Sequence, residues 1–176
     1  MPNEKGFIDE FRAYVASLNV KRVLEVGSQT GELKDAVGGD GIDLNPSRED
    51  VIQANIRDFK PKKKYDLVFS SGLIEHYKKA DAIKILNAMA TVSNRYVLTY
   101  VPNTNCYAYM NAKKNKSNNW PKEWREELDY TIDGLAELHE QAGLEVVDKG
   151  LAGKEWAKLF GPEESEPYLC YVLARK

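Results

Sequence analysis

Apolar positions fall in blocks whose period alternates between helical and strand-like. Phe7, Ile8, Phe11, Tyr14, Val15 and Leu18 lie at helical spacing, so an amphipathic helix opens the chain and Asn19 is its stop. Val23, Leu24 and Val26 form a short, β-branched run at about 22–26, as in a strand buried on both faces. A short helix is predicted over about 31–37, ended by Gly38 and Gly39. Gly41 to Leu44 reads as a second strand, and Asn45, Pro46 and Ser47 then carry helix-start chemistry. Ala54 to Phe59 reads as a third strand and its exit, Tyr65 to Ser70 as a fourth, and Arg95 to Val101 as a fifth, stopped by Pro102. Between the last two, Ala82, Ile85, Leu86, Met89 and Val92 make a helical stripe. No period holds from 102 to 130. Ile132, Leu135, Leu138 and Ala142 then predict a helix with Thr131 as N-cap and Gly143 at its stop. Leu144–Leu151 and Tyr168–Ala174 are the last two strands.

Repeated β–α alternation implies a mostly parallel sheet with helices on both faces. The 176 residues suit one domain, 1–176, and are enough to bury a core. A formal charge of −2 supplies no global attraction to nucleic acid. No apolar run approaches the ~18 residues of a membrane span. Met-Pro-Asn-Glu-Lys-Gly is not a secretory signal. Cys106 and Cys170 lack metal or redox spacing, so reduced thiols in a cytoplasmic protein are expected.

The stretch Arg-Val-Leu-Glu-Val-Gly-Ser-Gln-Thr-Gly, 22–31, combines a strand, a turn with two glycines and a helix start. Such a corner lets the backbone approach a ligand where a Cβ would collide. A dinucleotide fingerprint would need glycines at the positions of Gln29 and Glu32, and no Gly-Lys-Ser/Thr follows for a P-loop. The acid two before the first glycine resembles motif I of the class I S-adenosylmethionine (SAM) methyltransferases, Asp/Glu-x-Gly-x-Gly-x-Gly. Glu25, Gly27 and Gly31 match, and Gln29 replaces the middle glycine. Ser28 and Gln29 lie within the loop, where Gln29 bends it differently or contacts the cofactor itself.

The resemblance covers roughly residues 20–150. It implies a Rossmann-like three-layer sandwich, α/β, with a mostly parallel seven-stranded sheet whose last strand is antiparallel. It implies SAM as cofactor and S-adenosylhomocysteine (SAH) as product. Asp43, with Leu44 beside it, stands where the family's acid takes both ribose hydroxyls; a carboxylate has two oxygens for a vicinal diol. By register Asn55 would accept from the adenine amino group and Ile56 would offer its N–H, with Asp58 the alternative if the register slips. Tyr65 to Tyr77 resembles motif IV of the small-molecule branch, placing Ser71 and Gly72 at the methionine end.

Glu75-His76 is the sharpest catalytic candidate. A histidine near the methyl group could take a proton from an attacking hydroxyl or amine; the alternative is a structural residue at a helix start. Some methyltransferases carry Glu-x-x-Glu-His here and bind a divalent metal with it. Gly72 stands where the first Glu would be, and one carboxylate with one histidine is too few, so no metal is expected. His139 reads as structural. The Lys60–Lys64 run reads as a polar connector.

The stretch 102–130 holds Tyr107, Tyr109, Trp120, Trp124 and Tyr130, too aromatic for a disordered tail. It is expected to be a cap insertion with Tyr107 and Trp120 as acceptor walls; the alternative is that these rings pack on the late helix. Lys113, Lys114 and Lys116 beside aromatics suggest RNA, but Glu123, Glu126, Glu127 and Asp129 cancel that field. The reading is a SAM-dependent methyltransferase acting on a small organic acceptor by direct displacement. A non-catalytic SAM-binding partner or regulator, and a methyltransferase of macromolecules, are the alternatives. A dinucleotide oxidoreductase is disfavoured by the glycine spacing, and a homodimer is left open.

Overall fold

The computed structural model describes residues 4–116, 119–161 and 164–176. The reading of Met1 to Asn3 as free of a leader signal, and positions 117–118 of the expected cap, lie outside them. The first helix, α1 (Glu4–Ser17), buries Phe7, Phe11 and Val15, four residues apart on one face. Asn19 stops it with φ 50°. All four residues of β1 (Val23–Val26) are buried, as a strand covered on both sides requires. Next, α2 (Glu32–Val37) lies between Gly31 and Gly38, whose φ angles are 72° and 67°. Its last carbonyls accept from the N–H groups of Gly38 and Gly39.

The remaining elements are β2 (Asp40–Asp43), β3 (Ile52–Gln53), β4 (Tyr65–Ser71), α3 (Lys79–Val92) and β5 (Ser93–Pro102). They are followed by α4 (Tyr107–Lys116), α5 (Lys122–Arg125), α6 (Ile132–Gln141), β6 (Glu145–Ala152), α7 (Lys154–Ala157) and β7 (Leu169–Arg175). The sheet is seven-stranded in the order β3-β2-β1-β4-β5-β7-β6. The first five strands pair in parallel, and β7 runs antiparallel to both β5 and β6. This is the architecture that motif I implies.

Alternation along the strands divides the core into two layers. Leu24, Val26, Val68 and Val97 point to one face, with Leu86, Met89, Leu135 and Leu138 from α3 and α6. Val23, Leu67, Phe69, Leu98 and Tyr100 point to the other, against Phe7, Phe11 and Val15 of α1. Phe11 is fully buried beside Phe69, ring centroids 4.7 Å apart.

Three local expectations are corrected. Residues 45–51 form no helix, because tertiary polar contacts take their groups: Ser47 donates through N and Oγ to the Gln29 carbonyl, and Arg48 donates to the Thr30 carbonyl, Asp35 and Asp50. The third strand is Ile52–Gln53, not 54–59, where a turn closes on Asn55: its carbonyl accepts from Asp58 and Phe59 and its side chain from the Arg57 N–H. Residues 102–130, where no period was readable, contain α4 and α5. The inner face of α4 is Ala108, Tyr109 and Ala112, too small and mixed to register as an apolar stripe. A third unread helix, α7, sits in the last connector. No helix among the described residues is long and apolar enough to cross a membrane.

Thr131 caps α6 as read from the sequence, its Oγ1 accepting from the Gly134 N–H at 3.1 Å. Thr131→Ala should therefore cost about 1 kcal/mol of stability and lower the melting temperature by roughly 2–4 °C, whereas Thr131→Ser should lose little. Equal melting curves for Ala and wild type would deny the cap that role.

Candidate cofactor cleft and active site

The motif I turn is built around a buried carboxylate. Glu25 is 5% exposed, and its Oε2 accepts from Ser28 Oγ at 2.6 Å and from the Lys34 N–H at 3.1 Å. Burial pushes this carboxyl upward, and those two bonds pull it back. Gly27 has φ 79°, and its N–H and that of Ser28 both donate to the Ile42 carbonyl. A Cβ on Gly27 would lie 3.2 Å from Leu73 Cδ1, so the backbone is exposed to the cleft because the residue is glycine. Gln29 is accommodated because the loop is held from its backbone: its N–H donates to Asp43 Oδ2 at 3.2 Å and its carbonyl accepts from Ser47. Its side chain is exposed. Gly31, with φ 72°, serves as the left-handed N-cap of α2.

Two cavities meet at Gly27. One, of about 300 Å³, is lined by Gly27, Asp43, Leu44, Asn55 and Ile56 among others. The second, of about 240 Å³, is lined by Glu25, Gly27, Ser28, Gln29, Ser71 and Gly72 among others. Every residue expected at the cofactor except Gly31 thus lines one or the other. The Asp43 carboxylate is already oriented, Oδ1 accepting from the Asn45 N–H at 2.7 Å and Oδ2 from Gln29, with a lone pair left on each oxygen. Asn55 Oδ1 accepts from Arg57 N at 3.0 Å, so it can serve an adenine only as a shared acceptor. Asp58 is exposed and lines neither cavity. Sequence reading missed Arg57, Leu73 and Tyr77 in the first cavity and Phe7, Glu32 and Trp156 in the second. Phe7 and Trp156 carried only the signal of core aromatics.

Beyond Gly72 the chain makes a 3-10 turn, Ile74–His76. Glu75 is 1% exposed, and its Oε2 has no hydrogen-bond partner among the described residues. Burial pushes its carboxyl up to about 8, the Glu127 carboxylate adds to this, and its own backbone N–H and Lys113 oppose it. His76 is partly exposed, with Nε2 3.8 Å from Glu127 Oε1. Burial also raises the Glu127 carboxyl, which accepts from Tyr109 Oη at 2.9 Å. Lys113 Nζ donates to the Glu127 carbonyl at 3.0 Å and to Asp129 at 2.7 Å, and the Leu128 N–H donates to the Glu75 carbonyl at 2.8 Å. Residues 127–129 are thereby fastened to the 3-10 turn.

Glu127 changes the count of ligands. Glu75, His76 and Glu127 offer one atom each, all within 4.8 Å of one another, where sequence spacing supplied only two. The set can share a proton or take a divalent cation. His139 is structural, as read: it is fully buried, Nδ1 bonded to the Leu135 carbonyl and Nε2 to Thr99, and burial lowers it to about 4.

Neither expected acceptor wall reaches the two cavities. Tyr107 is 62% exposed, and Trp120 stacks on Tyr109 at 6.1 Å. Tyr109 and Trp120 pack on Phe160 and Tyr168, ahead of β7, whereas Tyr130 joins the core cluster that includes Leu135 and Leu138 of α6.

Glu75 makes stability depend on pH with a definite sign. Its folded carboxyl keeps its proton to about pH 8, against an ordinary value of 4.5, so its contribution is complete below 4.5 and is lost as pH rises through 8. Glu75→Gln should match wild type near pH 5 and be the more stable above pH 8, by up to a few kcal/mol. Denaturant titrations at the two pH values measure this. Equal pH slopes would show Glu75 ionised in the fold, and Mn²⁺ raising the melting temperature of wild type but not of Glu75→Gln would name a cation as the reason.

The sequence profile of the family described as "Methyltransferase domain" matches residues 3–149. No curated protein sequence matches the chain. Among solved structures, magnesium protoporphyrin IX methyltransferase from Synechocystis PCC 6803, with bound SAH, superposes with a TM-score of 0.70 at 13% identity, over 99% of this chain and 84% of its own. A possible histamine N-methyltransferase from Thermotoga maritima gives 0.69 at 16%, over 95% and 88%. A SAM-dependent methyltransferase from Clostridium acetobutylicum gives 0.67 at 10%, over 97% and 91%. At such identities the superpositions show a shared fold. The profile match, spanning most of the chain and agreeing with motif I at Glu25, Gly27 and Gly31, shows that this protein belongs to the methyltransferase-domain family.

Proposed function

We propose that the protein binds SAM across the two cavities and methylates a small organic acceptor. The observation that carries this reading is the junction at Gly27: a nucleoside-sized space on the Asp43 side and a second space on the Ser71 side, joined where a side chain would block the passage. The Synechocystis and Clostridium proteins named above, the first solved with SAH, support it by their folds.

Asp43 would hold the ribose through its two oriented oxygens, and Ile42, Ile56 and Ile85 supply an apolar slot for the purine. Ser71 and Gly72 would border the methionine end. When bound, the cofactor supplies a sulfonium-activated methyl carbon; displacement there joins that carbon to the acceptor's oxygen or nitrogen, leaves the C–S electron pair on sulfur and releases the acceptor's proton. His76 would take that proton, and Glu127 beside it would stabilise the imidazolium. Alignment of the two reactants is the main contribution of the protein and can supply up to ~7–11 kcal/mol of the barrier. In this reading the chain is one domain, with 102–130 as a cap over Glu75 and His76. The near-neutral charge fits a small acceptor rather than nucleic acid, and the two free cysteines fit a cytoplasmic location.

Calorimetry should show SAM and SAH binding and NAD binding far more weakly. Asp43→Asn, which keeps one of the two oxygens that accept from the loop, should weaken SAM by about 1.5–3 kcal/mol for the charge-assisted bond it removes. A folded protein with no affinity for SAM would end the proposal, and unchanged affinity in Asp43→Asn would make Asp43 a loop residue.

His76→Ala should lower turnover by ~10²–10⁴ while SAM affinity holds. A loss below about tenfold at every pH would leave alignment as the source of the rate and make His76 and Glu127 a tether between the 3-10 turn and the cap.

A further inference from the structure

Glu75, His76 and Glu127 come from two segments far apart in the chain. The first two sit on the 3-10 turn after β4, and the third lies near the end of the 102–130 stretch. One donor atom from each lies within 4.8 Å of the other two, and His76 Nε2 is 3.8 Å from Glu127 Oε1. Ligands held tetrahedrally at about 2.0–2.1 Å from a zinc ion stand roughly 3.3 Å from one another. The set is slightly open relative to that, by an amount that side-chain torsions can take up.

The donors are held in place by groups that are not themselves ligands. Tyr109 donates to Glu127 Oε2 at 2.9 Å, and Glu127 Oε1 is the oxygen beside His76. The Leu128 N–H donates to the Glu75 carbonyl at 2.8 Å, and Lys113 Nζ to the Glu127 carbonyl at 3.0 Å. The charge of Lys113 is offset by Asp129, which accepts from the same ammonium at 2.7 Å. Glu75 is 1% exposed, and its Oε2 has no hydrogen-bond partner among the described residues. A buried polar atom left bare costs free energy. A cation among the three side chains would give this carboxylate the partner it lacks.

Donor chemistry selects the ion. Ca²⁺ and Mg²⁺ favour shells made of oxygen, whereas an imidazole beside carboxylates suits Zn²⁺. Three protein donors, with His76 partly exposed, leave a fourth position for water.

Building on the methyltransferase reading, in which His76 takes the acceptor's proton, we propose that Glu75, His76 and Glu127 form a regulatory Zn²⁺ site. The ion binds one atom of each, occupies the imidazole lone pair that the proton needs, and pins residues 127–129 to the 3-10 turn. It is an antagonist of methyl transfer and not its cofactor. A ring nitrogen that holds a metal cannot also accept a proton, and each carboxyl group gives up any proton it carries when it ligates.

Zn²⁺ alone is the probe. Wild-type protein should take up one equivalent in competition with a chromophoric chelator. Glu75→Gln and Glu127→Gln, which keep side-chain size, should each weaken that uptake roughly tenfold or more, and Tyr109→Phe, which only releases Glu127, roughly tenfold. The chain has two histidines, so wild-type NMR reads the site directly. Zn²⁺ should move the His76 ring signal and leave that of buried His139 in place. Hydrogen exchange at 127–129 should slow as the ion binds, and turnover should fall over the range in which the site fills. The proposal fails if wild type takes up no Zn²⁺, or if the His76 signal is unmoved at saturation. It fails equally if folded Gln variants bind as wild type does, which would be adventitious binding to surface carboxylates. Turnover that rises with Zn²⁺ would overturn the antagonist role. Absence of SAH binding would instead remove the methyltransferase reading, while the zinc titrations still decide the site.

Discussion

The buried carboxylate of Glu25 is the constraint on which the cleft depends. A carboxyl group 5% exposed is costly unless hydrogen-bonded, and Glu25 is satisfied only if Ser28 Oγ and the Lys34 N–H come to it. That requirement curls the chain after β1 back on itself and starts α2 at a set angle. Gly41 of β2 is part of the same fit, since a Cβ there would lie 2.5 Å from Ser28 Oγ. Motif I is therefore a small polar core packed closely against the neighbouring strand.

The sheet places this turn where it can meet a ligand. β1 lies between β2 and β4, where the strand order reverses, and in open α/β sheets the crevice forms outside the carboxyl ends of the strands at that point. Gly27 ends β1, Asp43 ends β2 and Ser71 ends β4, so three residues distant in sequence border one cleft. Around it, polar contacts replace regular structure: the Lys34–Asp35–Arg48–Asp50 cluster braces residues 45–51 against the motif I turn. The partners of that cluster are mostly exposed, so its value is in setting the loop's shape more than in overall stability.

A chain of aromatic contacts runs from α1 to the 102–130 segment: Phe7 to Trp156, Trp156 to Tyr168, Tyr168 to Tyr109, and Tyr109 to Trp120. It joins elements at opposite ends of the sequence on one side of the cleft. Through Tyr109 the same chain reaches Glu127, and so the Glu75–His76 turn. The second cavity and the Glu75–His76–Glu127 cluster are in this way connected through α4 and α7.

Local chemistry determined much of this protein. Period, caps and glycines were sufficient for α1, β1, α2, β4, α3, β5, α6 and the final strands, because each depends on burying its own stripe or satisfying its own ends. Many of the residues that line the two cavities were legible because a turn that exposes its backbone needs glycine and an oriented acid at short spacing. Tertiary structure decided what depends on partners far along the chain. Residues 45–51 look helical from Asn45 and Pro46, yet Gln29 and Thr30 compete for their donors and prevail. Helix α4 was unreadable because its buried face is small and joins the rings of Phe160 and Tyr168. Glu127 reads as one acid in a solvated run, and becomes part of a cluster only because Tyr109, Lys113 and the Leu128 N–H bring it to Glu75 and His76. Trp156 reads as an aromatic in a connector, and becomes a cavity wall because α7 docks on α1. Sequence alone cannot supply such pairings, since the free energy that selects them belongs to contacts between segments that are independent until the sheet has formed.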